Sequence, residues 1–424
     1  MIWKLISQYR LRIKKEDPDR WREKFAITSI TKPDNLKVIW IHAVSLGEAF
    51  SSLELIKQFT ENNYFVLLTT TTLSSMNAVK NKLPINAVHQ FAPWPSSCYI
   101  KKFLNFWQIE KAIFIESEIW PSYVNQCYKR KIKTFIVNAG MSDNSYKLWC
   151  LISFYSKSIF SKYTTIFARS KNEQEKFQNL GAKDVRLENN IKFDYALAFK
   201  KESEVVMLNK INNYFLEQFI LGFSNKKKVV IFASTHPKEE QIALNVINKL
   251  FDYDDSIFPI IAIRHCERRS EVRSIFEDNK NFNVILFSEW SCNYKKYNIC
   301  DNKKPVFIVD QIGFLSFFYN ISDVVVMCGS LVPNIGGHNP LEPAILKKPT
   351  IIGKFHSNCL SIVQDMLENN AIMVAQNSED LFVKIINIIS GEKNIGNTLS
   401  ENAYHFVTTR TGVCRKIFSQ IAIL

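Results

Sequence analysis

Ile321-Ser-Asp-Val-Val-Val-Met-Cys-Gly-Ser-Leu-Val-Pro-Asn-Ile-Gly-Gly-His-Asn-Pro-Leu-Glu342 reads as a buried strand, a glycine-rich loop and the start of a helix. Val324 to Met327 are β-formers without a polar break. Gly329, Gly336 and Gly337 let the chain turn sharply and approach a ligand closely. Asn339 is placed to cap a helix whose first residue is Pro340. Such a junction aims backbone N–H groups and the positive end of a helix dipole at one point, which favours an anion. Glu342 falls in the first helical turn, where it stabilises the helix and could also bind a ribose diol. An ordinary βα loop would account for the cap alone. It does not account for three glycines crowded with His338, Asn339 and Glu342.

Working outward, the second half repeats this rhythm. Val229–Ala233, Pro259–Ile263, Val284–Phe287, Val306–Val309 and Val324–Met327 have strand character, with helical material between them and near 357–368, 378–390 and 400–420. The first half does the same with Val38–Ala43, Tyr64–Leu68, Ala112–Ser117, Lys133–Val137 and Thr164–Ala168. Helical stretches fall near 48–60, 74–82, 97–106, 121–130, 145–160 and 171–180. Strands alternating with helices imply parallel sheets covered on both faces. Residues 195–227, ending in Lys226-Lys-Lys228, break the alternation and read as the inter-domain connection. Residues 288–304 form a polar excursion. The expectation is two doubly wound α/β domains with ligands in the cleft between them.

The 424 residues are ample for two such cores. Lys and Arg exceed Asp and Glu by 54 to 40, a net charge of +14 that suits an anionic membrane, substrate or nucleic acid without choosing among them. Nine cysteines contain no C-x-x-C pair, which favours a reducing compartment over a disulfide framework or zinc site. The mononucleotide P-loop, G-x-G-x-x-G, H-E-x-x-H and G-x-S-x-G patterns are missing, so no metal or cofactor is implied. No run of about 18 apolar residues is present. Ile2, Leu5, Ile6, Tyr9 and Ile13 nevertheless share one helical face beside Lys4, Arg10, Arg12, Lys14 and Lys15. That segment could lie in a membrane interface or pack on its own domain.

Several strand ends carry reactive side chains. Glu48 opens a helix after the first strand; alone it reads as a carboxylate that offsets the helix dipole, and it could also act as a general base. Glu116 and Glu118 close an apolar strand, and alternation puts both on one side, so at least one needs a cation or a polar cleft. Lys192 is a candidate cation in Asn189-Asn-Ile-Lys-Phe-Asp194. Ser234, Thr235 and His236 precede a helix with Glu239 and Glu240 in its first turn. Arg264 and His265 leave the strand that ends at Ile263, where an arginine could clamp a phosphate. Arg268 and Arg269 read as a surface charge run.

In order, Trp40-Ile-His-Ala-Val-Ser-Leu-Gly-Glu48, Glu116-Ser-Glu-Ile-Trp-Pro121, Asn138-Ala-Gly-Met-Ser-Asp143, Ile191-Lys-Phe-Asp194, Ala233-Ser-Thr-His236, Arg264-His265 and Gly336-Gly-His-Asn-Pro-Leu-Glu342 resemble the bacterial 3-deoxy-D-manno-octulosonic acid (Kdo) transferases. The resemblance implies a GT-B glycosyltransferase: two Rossmann-like doubly wound domains with an interdomain cleft. It places a basic membrane-associating segment at 1–30, an acceptor-binding domain at 31–205 and a nucleotide-sugar domain at 206–424. The implied reaction is inverting and metal-independent, needs no cofactor, and moves Kdo from CMP-Kdo to lipid IVA in lipopolysaccharide biosynthesis. Glu48 matches the family's proton acceptor, and Glu116 and Lys192 match its transition-state stabilisers. Ile263, Arg264, Ile312, Gly313, Phe314, Asn339, Pro340, Leu341 and Glu342 match the CMP-binding positions. Phe314 stands where relatives carry Glu, Gly140 where many carry Arg, and Ile263 where they carry Pro. The implied setting is the cytoplasmic side of the inner membrane, with an anionic membrane surface as partner and no nucleic acid; many relatives start with a longer apolar anchor, and the short basic segment here points to peripheral or N-terminally anchored attachment. A GT-B transferase using another nucleotide sugar and a basic nucleic-acid-binding protein are the rivals.

Overall fold

The computed structural model describes residues 2–33, 35–117, 119–205, 228–293, 303–391 and 394–424. They form two units: residues 1–195 with 411–424, and residues 196–410.

The first unit is built on a seven-stranded parallel sheet ordered β3-β2-β1-β4-β5-β6-β7. Its strands are β1 (Lys37–His42), β2 (Tyr64–Thr70), β3 (Ala87–Phe91), β4 (Ile109–Ile115), β5 (Lys133–Ala139), β6 (Thr165–Ala168) and β7 (Val185–Leu187). Alternation along the strands divides the core into two layers. Val38, Trp40, Phe65, Leu67, Ala112 and Phe114 face one layer. Ile39, Ile41, Val66, Leu68, Ile113 and Ile115 face the other. Strands buried on both faces read as continuous apolar runs, which is why the central strands are visible in the sequence. The edge strands β3 and β7 are short and partly exposed, and they lack that signature.

The second unit has the order β10-β11-β9-β8-β12-β13-β14, again parallel. Here β8 is Lys228–Thr235, β9 Ile257–Ile263, β10 Phe282–Leu286, β11 Lys304–Val309, β12 Val324–Met327, β13 Thr350–Gly353 and β14 Met373–Ala375. Its β10 ends at Leu286, and Phe287 already begins the next helix, Phe287–Asn293. The helix covers the start of the polar excursion; residues 294–302 lie outside the described residues, as do Glu118 and the connecting stretch 206–227.

Strand order reverses between β1 and β4 in the first sheet and between β8 and β12 in the second. Loops leaving the carboxyl ends of these pairs diverge, and open α/β sheets bind ligands at such points.

The ends of the chain depart from the sequence reading. The helix expected over 400–420 is two helices, Ile395–Thr408 and Val413–Ile423, separated at Gly412 with φ +87°. The second of these belongs to the first unit, not to the domain drawn as 206–424. Its apolar positions Val413, Cys414, Ile417 and Ile421 complete one core layer of the first sheet. Periodicity reveals an apolar face but not which sheet receives it. The stretch 145–160 is likewise split, into Asp143–Leu151 and Ser153–Phe160. At the other end, the helix Ile2–Arg12 docks by stacking Trp3 on Trp94, whose indole N–H donates to Ser7 Oγ at 3.0 Å. Leu5 and Tyr9 remain 59% and 63% exposed, and Ile13 is exposed beside them. Both readings of that segment thus have a physical basis: one side packs, the other faces outward.

Asp194 fastens the C-terminal helix. Its buried carboxylate accepts the Gly412 N–H at 2.5 Å and the Cys414 N–H at 2.6 Å. The first-turn N–H groups of a helix have no internal partner, so these bonds answer an unavoidable need. Asp194→Ala is expected to lower unfolding stability by about 3 kcal/mol, since two buried donors lose a charged acceptor. Urea unfolding measures this; a change within about 0.5 kcal/mol would contradict the assigned role.

Candidate functional site

In the first unit the candidate groups sit at the carboxyl ends of β1, β4 and β5. Ser45 caps the helix Leu46–Ser51 by accepting the Glu48 N–H at 3.3 Å. Glu48 answers with its own carboxylate, accepting from the Ser45 hydroxyl at 2.7 Å and from the Val44 N–H at 2.8 Å. This reciprocal cap fixes the orientation of a side chain only 8% exposed. The dipole-offsetting reading does not conflict with the general-base reading: the bonds that stabilise the helix also aim the carboxylate.

Glu116 follows β4 with φ +60°, in the left-handed region. For a non-glycine residue this costs about 1–2 kcal/mol. The turn ends the strand alternation, so the expectation that Glu116 and Glu118 share one side has no strand to act on. Lys192 Nζ lies 2.8 Å from Glu116 Oε1, and Asn138 Nδ2 approaches the same oxygen at 3.4 Å. Burial alone would raise the Glu116 pKa. The Lys192 ammonium and its hydrogen bond, then the Arg169 guanidinium and Asn138, outweigh burial and hold it below the usual carboxylate range. Lys192 itself is placed by the Asn190 side chain, which accepts its backbone N–H at 3.0 Å, and by the buried neighbours Ile191 and Phe193. Two sequence-predicted residues, Glu116 and Lys192, are thus brought into direct contact.

In the second unit the loops after β8 and β12 meet at the switch point. The glycine-rich loop differs from the expected open anion site. Glu239, fully buried, accepts Gly329 N–H at 2.8 Å, Leu331 N–H at 2.9 Å and His236 N–H at 3.0 Å. Two of the loop's donors are therefore already taken by an internal carboxylate. Burial, with the charge of Glu240, raises the Glu239 pKa, while these three bonds oppose the rise. His338 covers Gly329, where an added Cβ would stand 2.8 Å from its ring. At φ +74° the position favours glycine on backbone grounds as well. His338 Nε2 lies 2.9 Å from His236 Nε2 with the rings stacked, so one ring donates and the other accepts. Burial, and then the positive charges of Arg264 and His265 among others, lower the two pKa values to about 3 for His338 and about 4 for His236.

The helix after the loop is Leu341–Ile345, with Pro340 at the cap position rather than inside it. Asn339 still accepts a first-turn N–H, that of Leu341 at 3.2 Å. Arg264 is exposed at the end of β9, whereas Ile263 is packed in the core and offers only its backbone. Ile312 is 88% exposed and Gly313 has φ +99°. The Phe314 ring packs edge-on against Phe287 with centroids 4.8 Å apart, so this position too presents its main chain. Arg268 is not a surface charge: it binds the buried Glu240 at 2.8 Å and Glu271 at 2.8 Å. Glu239 and the histidine pair were visible as polar residues around the strand ends, but their joining needs two loops 90 or more residues apart. Among the described residues no group of three or more His, Cys, Asp or Glu side chains is arranged to hold a metal ion.

Residues 19–195 match the family described as 3-deoxy-D-manno-octulosonic-acid transferase (kdotransferase). A 3-deoxy-D-manno-octulosonic acid transferase of Rickettsia felis is 32% identical over 374 residues, 87% of this chain and 75% of that protein. Two solved structures share the fold across 92% of this chain. The UDP-GlcNAc 2-epimerase from Neisseria meningitidis has a TM-score of 0.61 at 13% identity and is covered over 100% of its length. A glycosyltransferase from Rickettsia africae has a TM-score of 0.60 at 15% identity and is covered over 99%. These two identify the architecture as two Rossmann-like domains of the GT-B type.

The Glu116–Lys192 contact makes a pH-dependent contribution to stability. Because the folded pKa of Glu116 is lowered, that contribution is present above the unfolded value of about 4.3 and is lost as pH falls through the lower folded value. Lys192→Met is therefore expected to destabilise the protein at pH 7, with the difference from the unaltered chain shrinking only below about pH 4. Unfolding titrations across that range measure it; a difference independent of pH would contradict the assignment.

Proposed function

The chain belongs to the Kdo transferase family and is a Kdo-transferring glycosyltransferase of lipopolysaccharide biosynthesis, and from that premise we propose that it moves Kdo from CMP-Kdo to lipid IVA by a single inverting displacement. The observation that carries this reading is the 2.8 Å contact of Lys192 with Glu116 at the carboxyl end of β4, the strand beside β1, which leads into Glu48.

The first unit is assigned the acceptor and the second the nucleotide sugar. The acceptor hydroxyl oxygen attacks the anomeric carbon of Kdo while the bond from that carbon to the CMP phosphate breaks. Glu48 takes the hydroxyl proton, and the bonding electrons leave with CMP. Glu48 is suited to this role because Ser45 and Val44 hold its carboxylate in one orientation. Lys192, oriented by Glu116, supplies positive charge where negative charge develops. The CMP contacts are assigned to the Arg264 guanidinium, the backbone of Ile263 and Ile312–Phe314, and Asn339 to Glu342. No metal enters the proposed reaction.

The proposed location is the cytoplasmic side of the inner membrane. Among the described residues no helix is long and apolar enough to cross a membrane. The outward stripe of Leu5, Tyr9 and Ile13, flanked by Lys4, Arg12, Lys14 and Lys15, is suited to peripheral attachment to anionic lipid.

Transfer from CMP-Kdo to lipid IVA by the purified chain, in buffer containing EDTA, tests the reaction. Glu48→Gln keeps a side chain able to hydrogen-bond Ser45 and Val44, so stability should hold while kcat falls by about 10²–10⁴. Near-normal turnover by this variant would remove Glu48 as the base. In flotation assays the protein should bind vesicles containing anionic lipid, and Leu5→Asp with Tyr9→Asp should release it. Equal binding of the double variant would sink the attachment proposal.

A further inference from the structure

Gly140 follows β5, in the loop 140–142 before the helix Asp143–Leu151. Its φ lies outside the left-handed region, so the backbone does not demand glycine. What excludes a side chain is Arg169. A Cβ at position 140 would stand 2.5 Å from the guanidinium carbon and Nη2, and 2.6 Å from Nε. The guanidinium therefore lies directly over the Gly140 backbone. Arg169 leaves the end of β6, the neighbour of β5, and its own N–H donates to Ala139 O at 3.2 Å.

Charge near this point is not balanced pair by pair. Glu116 accepts from Lys192 at 2.8 Å, and the Arg169 charge acts on the same carboxylate. Arg169 forms no ion pair among the described residues. The nearby carboxylates of Asp143 and Glu173 are both engaged by Lys176, at 2.9 and 3.2 Å. Arg268 in the second unit shows the alternative, a guanidinium spent on two carboxylates at 2.8 Å each. Arg169 is half-buried and lies over a glycine, and among the described residues its fork of donors meets no acceptor.

We propose that Arg169 is a substrate-binding residue whose guanidinium takes an oxyanion beside the Glu116–Lys192 pair. The oxyanion is the carboxylate of the transferred sugar acid or a phosphate of the lipid acceptor, and either suits a planar fork of N–H donors. The proposal rests on the Kdo transferase reading above. It adds a binding contact and changes no bond in the reaction.

The test uses the full chain and steady-state transfer from CMP-Kdo to lipid IVA, with three variants: Arg169→Gln, Gly140→Ala and the two combined. Arg169→Gln removes the charge. Gly140→Ala keeps the charge but displaces the guanidinium, and demands little of the backbone. Each single variant should raise the KM of the same one substrate by about 10- to 100-fold, with kcat within about threefold and an unchanged unfolding midpoint. The double variant should be no worse than Arg169→Gln alone. A rise for CMP-Kdo identifies the sugar carboxylate; a rise for lipid IVA identifies the acceptor phosphate. Unchanged KM values in Arg169→Gln would overturn the proposal. So would a loss that follows the unfolding midpoint, or a Gly140→Ala effect that adds fully in the double variant. Failure of the unaltered chain to transfer Kdo at all is a separate result, seen before any substitution; it overturns the underlying reading and this proposal with it.

Discussion

In each sheet the chain winds outward from one central strand and then crosses back to start again on the other side. β1 and β4 flank that reversal in the first unit, β8 and β12 in the second. Parallel strands force every connection to return across a face of the sheet, so the loops at a reversal part from one another. The candidate groups of each unit depend on this constraint. Glu48 and Glu116 leave β1 and β4; His236 and the glycine-rich loop leave β8 and β12. Two left-handed residues, Glu116 and Asn138, turn their strands sharply at the same end of the sheet. Backbone strain of this kind persists only where surrounding contacts determine it, and here it accompanies the Lys192 contact.

The loops are held by buried acids. Glu239 accepts three backbone N–H groups, Asp194 two, and Glu48 one. Glu173 accepts Met141 N–H at 2.7 Å and Glu23 accepts Phe91 N–H at 2.8 Å. An isolated buried carboxylate is costly, but charge-assisted bonds to N–H groups that otherwise lack partners offset that cost. The protein thus commits some of its acids to internal fastening. The chain as a whole still carries a net charge of +14.

The central strands could be read from the sequence because burial on both faces leaves uninterrupted Val, Ile and Phe runs. β3, β7, β13 and β14 could not, being short or at the sheet edges. Glu48 was legible as a helix-start carboxylate because it follows the first strand at the opening of a helix. Its match to the family's proton acceptor came from the resemblance. The Lys192–Glu116 contact could be named only as two separate candidates, because 76 residues of chain separate them. Arg268 was misread as surface charge: nothing local announces that Glu240 lies buried 28 residues away. The glycine-rich loop was misread in a different way. Glu239, some 90 residues away, occupies two of its N–H donors. Arg169 drew no attention because a lone arginine after a strand has no pattern, and its meaning comes from the glycine it covers.

The proposed reaction is a single displacement in which a fixed carboxylate activates the acceptor hydroxyl. One displacement must invert the anomeric carbon, so the configuration of that centre in the product is decisive. NMR of the purified glycolipid, compared with the CMP-Kdo supplied, reads it without altering any residue. The expected Kdo linkage is opposite in configuration to the donor. A linkage of the same configuration would require two displacements or a front-face route, and would contradict the role given to Glu48.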